Sequence, residues 1–112
     1  MGIVNYVNKA NQKFTYTAIA ADDTGQPIFM DAGVGLLLSV HALVGGGSGF
    51  NAGTLTIQVS NDGTNWSTIK DVHGTDAAFT ANALIEISTG AQFIRPFAYS
   101  SISDVDVIFS FG

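Results

Sequence analysis

The chain has 112 residues, of which 46% are hydrophobic and 12% charged, with a formal net charge of −5. This length accommodates one stable core rather than two. There is no cysteine, which excludes a disulfide framework and a thiolate metal site. The basic residues are four and scattered, at Lys9, Lys13, Lys70 and Arg95. Because they cannot neutralise a row of phosphates, no nucleic-acid partner is expected.

The polar residues of this chain are mostly uncharged. Charged residues are about half as frequent as the roughly 25% of an average soluble domain, whereas Ser, Thr and Asn together number 26. A monomeric protein normally keeps more charge on its surface for solubility. We therefore expect a good part of this surface to be buried against partner molecules.

The N-terminal sequence MGIVNYVNKANQKF lacks the basic segment and apolar run of a secretory signal. No stretch approaches the roughly 18 consecutive apolar residues of a membrane helix. We therefore expect synthesis in a host cytoplasm, no export by the usual signal and no membrane partner. The chain reads as a single domain over 1–112, with 1–12 as a possible N-terminal arm that orders on a neighbour.

Apolar β-branched and aromatic residues alternate with polar ones along the chain, and glycine-rich punctuation separates the segments. The predicted strands, in chain order, are QKFTYTAIA, a short piece from Pro27 to Met30, GLLLSVHAL, TLTIQVS, NWSTIK, ALIEIS, QFIRPFAYS and DVDVIFSF. The pattern predicts an all-β fold: a single-domain antiparallel β-sandwich, jelly-roll-like, with about eight strands. GGGSG at 45–49 is predicted to be a loop because glycine loses most entropy in a sheet.

The last strand is unusually apolar for a chain end. Val105, Val107, Phe109 and Phe111 alternate without interruption. Terminal segments that fray are normally polar. This strand is therefore expected in the interior of a sheet or against another subunit.

The segment IQVSNDGTNWSTI, residues 57–69, predicts a hairpin. Asp62 suits an Asx turn and Gly63 supplies a positive φ. A loop of two or four residues places Val59 opposite Trp66, with both side chains facing the core, whereas three or five residues turn Trp66 outward. We expect the inward arrangement, although it leaves Ile69 on the outer side unless a bulge intervenes. Calcium ligation requires alternating oxygens and a distal bidentate carboxylate, and that spacing is absent, so the segment is interpreted as a structural turn.

VSNDGTNW followed by GAQFIRP resembles the hairpin and later strand of discoidin-like (coagulation factor 5/8 C-type) sandwiches. It resembles more closely the small cysteine-free β-sandwich proteins of tailed-phage virions. The matching stretches are 57–69, 90–96 and 104–111, roughly the C-terminal half. They are motifs of the fold, so the resemblance supports the fold more than a function. The phage resemblance implies a homo-oligomer, often a trimer, that sits on the capsid exterior and ties neighbouring capsomers together.

No catalytic residue, metal ligand or cofactor is predicted. His41 lies within a strand and His73 in a turn, without further ligands at metal-binding spacing. No serine lies in a nucleophile elbow. Arg95 lies in an aromatic row, where it either covers the sheet with its stem or anchors a subunit interface. The interface candidates are Tyr6, Phe50, Phe93, Arg95, Phe97, Tyr99, Phe109 and Phe111.

The sequence thus favours a non-enzymatic viral structural protein, a capsid decoration or cement protein that oligomerises and stabilises the phage particle. Its expected partners are other copies of itself and a major capsid protein or other virion protein. Its expected location is the virion surface. The alternative is a carbohydrate- or receptor-binding β-sandwich module of a tail or head fibre, for which Trp66 would have to point outward.

Overall fold

The computed structural model describes residues 3–6, 13–19, 27–29, 36–51, 53–99 and 102–111. These residues contain ten strands, all paired antiparallel, and no helix. The strands are β1 Ile3–Tyr6, β2 Lys13–Ile19, β3 Ile28–Phe29, β4 Leu36–Gly49, β5 Leu55–Ser60, β6 Ser67–Thr68, β7 Ala78–Phe79, β8 Ala83–Thr89, β9 Phe93–Ala98 and β10 Ser103–Phe111.

The strands form two sheets that pack face to face. The first sheet has the order β1-β2-β10-β4-β8, and the second has the order β3-β9-β5-β6, with β7 also paired to β5. The predicted all-β antiparallel sandwich is confirmed. The strand number exceeds the expected eight because two strands were not predicted: β1, which lies in the expected N-terminal arm, and β7, which has only two residues. Segments that short carry no readable alternation.

The last strand, β10, lies in the interior of the first sheet, between β2 and β4. Val105, Val107 and Phe109 are fully buried, in agreement with the expectation for this apolar segment. Phe109 packs edge to face on Tyr16, with ring centroids 5.6 Å apart. Burial raises the pKa of Tyr16 well above the ordinary range of a tyrosine.

The core lies between the two sheets and consists of apolar residues from both. From the first sheet it includes Leu38, Val40 and Ile87, and from the second it includes Ile57 and Ile94. Along β9 the buried residues alternate with half-buried ones, and along β10 the described side chains do the same. This alternation gives each sheet one inner and one outer face.

The prediction of a loop at residues 45–49 is wrong. Gly49 ends β4 and pairs with Ser103 of β10, while Val44 pairs with Val105. Residues 45–48 therefore form an irregularity within the strand, opposite the single residue Asp104. The pairs on either side hold the two ends of this glycine-rich stretch to β10, so that the stretch forms a bulge of the strand.

Of the predicted arm over 1–12, Ile3–Tyr6 form β1, which pairs with β2 at the edge of the first sheet. Residues 1–2 and 7–12 lie outside the described residues.

Candidate functional site

The hairpin between β5 and β6 has a register that differs from the expected one. Gln58 pairs with Thr68 and Val59 with Ser67, which places Ser60 opposite Trp66. The intervening loop is 61–65, an odd number of residues, and Trp66 therefore lies on the outer face of the second sheet. The prediction that Val59 faces Trp66 inside the core is wrong.

The reason for this register is Ile69. Its backbone N–H donates to the Ile57 carbonyl at 3.0 Å, and its side chain packs against the core beside the buried Ile57. The even-numbered loop would have exposed Ile69 in order to bury Trp66. The odd loop buries Ile69, and Trp66 remains partly covered by other groups on the outer face.

The turn itself is held by Asp62 and Ser60. The Asp62 carboxylate accepts hydrogen bonds from the backbone N–H groups of Thr64 and Asn65, each at 2.8 Å, and from Asn65 Nδ2 at 2.7 Å. Ser60 Oγ donates to Asp62 Oδ1 and accepts from the N–H of Gly63, both at 2.9 Å. These bonds, the backbone ones foremost, lower the pKa of Asp62 far below its ordinary value. The carboxylate oxygens of Asp62 are thus used by the turn.

The outer face of the second sheet carries a cluster of aromatic side chains, hereafter the aromatic face. Its members are Phe29, Gln58, Trp66, Phe93, Arg95, Phe97 and Tyr99. Strand β9 supplies the central row with Phe93, Arg95 and Phe97, all half-buried, and Tyr99 follows at the same period. Phe29 pairs with Phe93 across β3 and β9.

The rings of the aromatic face contact one another in two groups. The Phe93 centroid lies 5.4 Å from that of Phe29 and 6.5 Å from that of Trp66. Further along β9, Phe97 and Tyr99 form a T-shaped pair at 4.6 Å. The most accessible rings are at the two ends, with Phe29 59% exposed and Tyr99 43% exposed. Outer positions of a two-layer sandwich are usually polar, and this face is not.

Arg95 lies between Phe93 and Phe97 along β9 and contacts the first group of rings through Trp66. Its guanidinium carbon lies 4.0 Å from the centroid of the Trp66 ring, and its Nε donates to Gln58 Oε1 at 2.9 Å. Partial desolvation lowers the pKa of Arg95, which stays charged at neutral pH because the ordinary value is far higher. The cation is thus fixed in one orientation, with its charge at the centre of an aromatic surface.

A shallow hollow of about 330 Å³ lies at the hairpin end of the sandwich. It is lined by Val59, Ser60, Asn61, Asp62, Asn65, Ser67 and Ala91. Asn61 Oδ1 accepts a hydrogen bond from the Gln92 N–H at 3.2 Å, which ties the hairpin to the segment before β9. The lining of the hollow is mixed, with Val59 and Ala91 beside the polar turn residues, and Ser60 and Asp62 already use their oxygens within the turn.

Two interface candidates belong to the core instead. Phe50 is 5% exposed and Phe109 is fully buried. Phe109 shares the inner face of β10 with Val105 and Val107, because the three occupy every second position of the strand and all are fully buried. Phe50 follows Gly49 and packs into the same apolar cluster. Neither ring is available for a partner. The side chains of Tyr6 and Phe111 lie outside the described residues, although their backbones belong to β1 and β10.

Two members of the aromatic face were missed at the level of sequence. Phe29 lies in a two-residue strand without readable alternation. Gln58 gave no signal because its role comes from the neighbouring strand: it stands opposite Arg95 in the β5–β9 register. The polar position of Gln58 between Ile57 and Val59 did mark it as outward-facing.

Within the described ranges, no group of three or more His, Asp or Glu residues is arranged to hold a metal ion. The same ranges contain no helix long and apolar enough to cross a membrane.

No family model matches the chain, and no curated protein matches it. Among solved structures, the chain is similar to CBM32-3 from a family 31 glycoside hydrolase of Clostridium perfringens. The two share 16% identity with a TM-score of 0.42, over 91% of this chain and 76% of the other. At this level, the likeness carries no inference about ligand or family. Kinship with tailed-phage virion proteins stays a prediction.

Proposed function

We propose that this protein is a non-enzymatic structural component of a virus particle, of the capsid decoration or cement type. In this role it binds other protein surfaces, and the aromatic face is its main adhesive surface. The observation that carries the proposal is the row of rings around Arg95 on the outer side of the second sheet. The capsid location and the trimeric state implied by the phage resemblance stay predictions.

The chemistry of the aromatic face suits protein–protein contact. Aromatic residues and Arg are enriched in interfaces, and Trp, Tyr and Arg dominate their binding energy. Here these types lie together in a chain with only 12% charged residues. Apolar burial contributes about 25 cal/mol per Å², so covering even the two most exposed rings, Phe29 and Tyr99, favours association.

A cement function needs no catalysis, and the polar groups closest to the aromatic face have intramolecular roles. Arg95 is held by Trp66 and Gln58, and Asp62 is held by its own turn. The proposed mechanism is adhesion that becomes durable by repetition. Many copies on one lattice convert modest individual contacts into high avidity.

The gene neighbourhood tests the proposed location directly. We expect the gene to lie beside a major capsid gene or other virion genes, because the genes for the structural proteins of one particle are commonly clustered in the genome. The protein should also be found in purified particles made from that genome. A chain that is absent from those particles would contradict the proposed function.

Variants test whether the aromatic face is the adhesive surface. In particles assembled with a Phe97→Ser, Tyr99→Ser double variant, we expect at least a tenfold loss of bound chain, since two contacting rings are removed. The matched control is Val72→Ser, which removes an apolar side chain that is 46% exposed but lies in a turn away from this face. Equal loss in both variants would show that the aromatic face has no special role.

A second candidate function is glycan binding, favoured by the outward position of Trp66. This was the condition for a carbohydrate-binding module at the sequence level, and the register of the hairpin meets it. Sugar rings place C–H groups on aromatic faces and hydroxyls on amide and guanidinium groups, both of which are present here. Binding to a glycan array that is abolished by Trp66→Ala or Phe29→Ala would favour this function over adhesion to protein.

A further inference from the structure

We infer that the aromatic face binds a second copy of this chain through the outer face of that copy's first sheet. Arg95 of one copy then lies against Glu86 of the next. This inference rests on the proposed function and deepens it, because it names the partner of the aromatic face. The contact is head-to-tail: two different surfaces of the same protein meet.

The outer face of the first sheet, hereafter the acidic face, carries aliphatic side chains among its polar ones. The described register places Ile108, His41 and Leu84 side by side across β10, β4 and β8. Leu43 pairs with Asp106 in a neighbouring row. Leu84 is 57% exposed. Three aliphatic side chains therefore interrupt a face on which polar residues are expected.

The charges of the two faces are opposite. Among the described strand residues, the acidic face carries the exposed Glu86 and the half-buried Asp106, together with Lys13, which pairs with Ser110 at an outer position of β2, so that two acidic positions stand against one basic position. The strand positions of the aromatic face carry Arg95 and no carboxylate. An apolar surface with a central cation thus has its complement, an apolar surface with carboxylates, on the opposite side of the same molecule. Close opposite charges across an interface set orientation and can add considerably to affinity.

The same charges disfavour the symmetric alternative. If two aromatic faces met around a two-fold axis, Arg95 would approach Arg95, and like charges brought together cost free energy. Two acidic faces would likewise bring together Glu86 and Asp106 of both copies, with only Lys13 of each copy to offset them. Charge therefore selects the head-to-tail contact over either isologous dimer.

The arrangement predicts a stack. The two outer faces of a sandwich point in opposite directions, so repetition of one heterologous contact adds copies in a row, closing into a ring only if each step rotates sufficiently. The second sheet is the smaller one, because β5 and β9 have six residues each and β3, β6 and β7 have two each. At about 16 Å² per strand residue its outer face covers roughly 300 Å², so face-to-face contact buries on the order of 600 Å² in total, the size of a weak, transient contact. Association should therefore depend strongly on concentration.

Sedimentation velocity of the purified full chain over a concentration series tests this inference. We expect the wild type to form species larger than a monomer as concentration rises. Arg95→Glu and Glu86→Arg should each weaken association at least tenfold, since each opposes like charges. The double variant should restore association. An equimolar mixture of the two single variants should also restore it, because they can alternate in one stack.

Circular dichroism and the urea midpoint confirm that each variant is folded, and the neutral Arg95→Gln is used if Arg95→Glu does not fold. If Glu86→Arg alone leaves association unchanged, or the charge swap fails to restore it, the head-to-tail contact is wrong. A wild type that remains monomeric at high concentration also overturns it. The proposed function is then judged separately, by whether the chain is bound to purified particles.

Discussion

Arg95 is held in place by two neighbours at once. Its guanidinium stacks on the Trp66 ring at 4.0 Å, and its Nε–H bonds Gln58 at 2.9 Å. Each contact by itself is modest at a partly exposed site, about 1 kcal/mol. Together they orient the charge and keep the outward-facing tryptophan partly covered. A residue with the same charge but no planar fork, such as lysine, cannot make both contacts.

Asp62 gives a pH-dependent contribution to stability at the residue scale. Its pKa is lowered in the folded state, chiefly by the backbone N–H groups of Asn65 and Thr64. The ionised form is therefore favoured by folding. The resulting stability is fully present above the unfolded pKa of about 4 and is lost as pH falls through the lower folded value.

We predict that wild-type stability falls more steeply than that of Asp62→Asn as pH is lowered below about 4. Asparagine keeps one acceptor oxygen but has no charge to lose. The measurement is the urea midpoint of each protein at a series of acidic pH values. Parallel pH profiles for the two proteins would show that the turn does not stabilise the ionised carboxylate.

At the scale of elements, three segments each contain a glycine with positive φ: the end of β4, the β5–β6 hairpin and the turn that begins at Asp71. Gly49, Gly63 and Gly74 have φ of 78°, 76° and 84°. At positive φ, a residue other than glycine is destabilised by roughly 1–2 kcal/mol, because its Cβ comes too close to the following carbonyl oxygen. The three sites differ in what an added Cβ would meet, so they form an internal series.

We predict that Gly63→Ala and Gly74→Ala each lower the free energy of unfolding by about 1 kcal/mol. At Gly63 the new Cβ would lie at an ordinary 3.6 Å from the Phe93 ring, and at Gly74 nothing is within 4 Å. Gly49→Ala should cost more, since its Cβ would lie 2.7 Å from a Val44 methyl group. Urea denaturation measures all three.

The control for the series is Gly90→Ala. Gly90 has no positive φ and nothing within 4 Å of an added Cβ. We expect a change within about 0.5 kcal/mol, as for ordinary surface substitutions. A cost at Gly90 equal to that at Gly63 would remove backbone strain as the explanation.

On the scale of the whole molecule, the described aromatic residues named above fall into two sets, one packed between the two sheets and the other on the outer face of the second sheet. Tyr16, Phe79 and Phe109 fill the space between the sheets and are at most 1% exposed. Phe29, Phe93, Phe97 and Tyr99 lie outside it, on the aromatic face. Burial between the sheets stabilises the fold, whereas the outer rings stay half-buried or exposed, as the proposed adhesive function requires.

We predict that Phe109→Ala lowers the free energy of unfolding by about 3–5 kcal/mol, because it leaves a cavity in a fully packed site. The matched Phe97→Ala, a half-buried ring of the same type, should cost clearly less, about 1–2 kcal/mol. Thermal or urea unfolding of both variants gives the comparison. Equal costs would mean that Phe97 acts as a core residue.

The sequence by itself determined most of the longer strands and the class of fold. Alternation with period two depends only on the pleat, so it is readable wherever a strand is long enough, as in β9 and β10. It also placed Phe93, Arg95 and Phe97 on one face of one strand. The residues Asp62 and Gly63 marked a turn because their local hydrogen bonding and backbone freedom need no tertiary partner.

Only the tertiary structure decided which face of each strand is buried and how the hairpin is paired. Asp-Gly fits loops of even and odd length equally well, so the side of Trp66 depended on whether Ile69 could reach the core beside Ile57. Phe109 and Phe97 alternate in the same way along their strands. One is core and the other is surface because β10 turns its phenylalanine towards the second sheet, whereas β9 turns Phe97 away from the first.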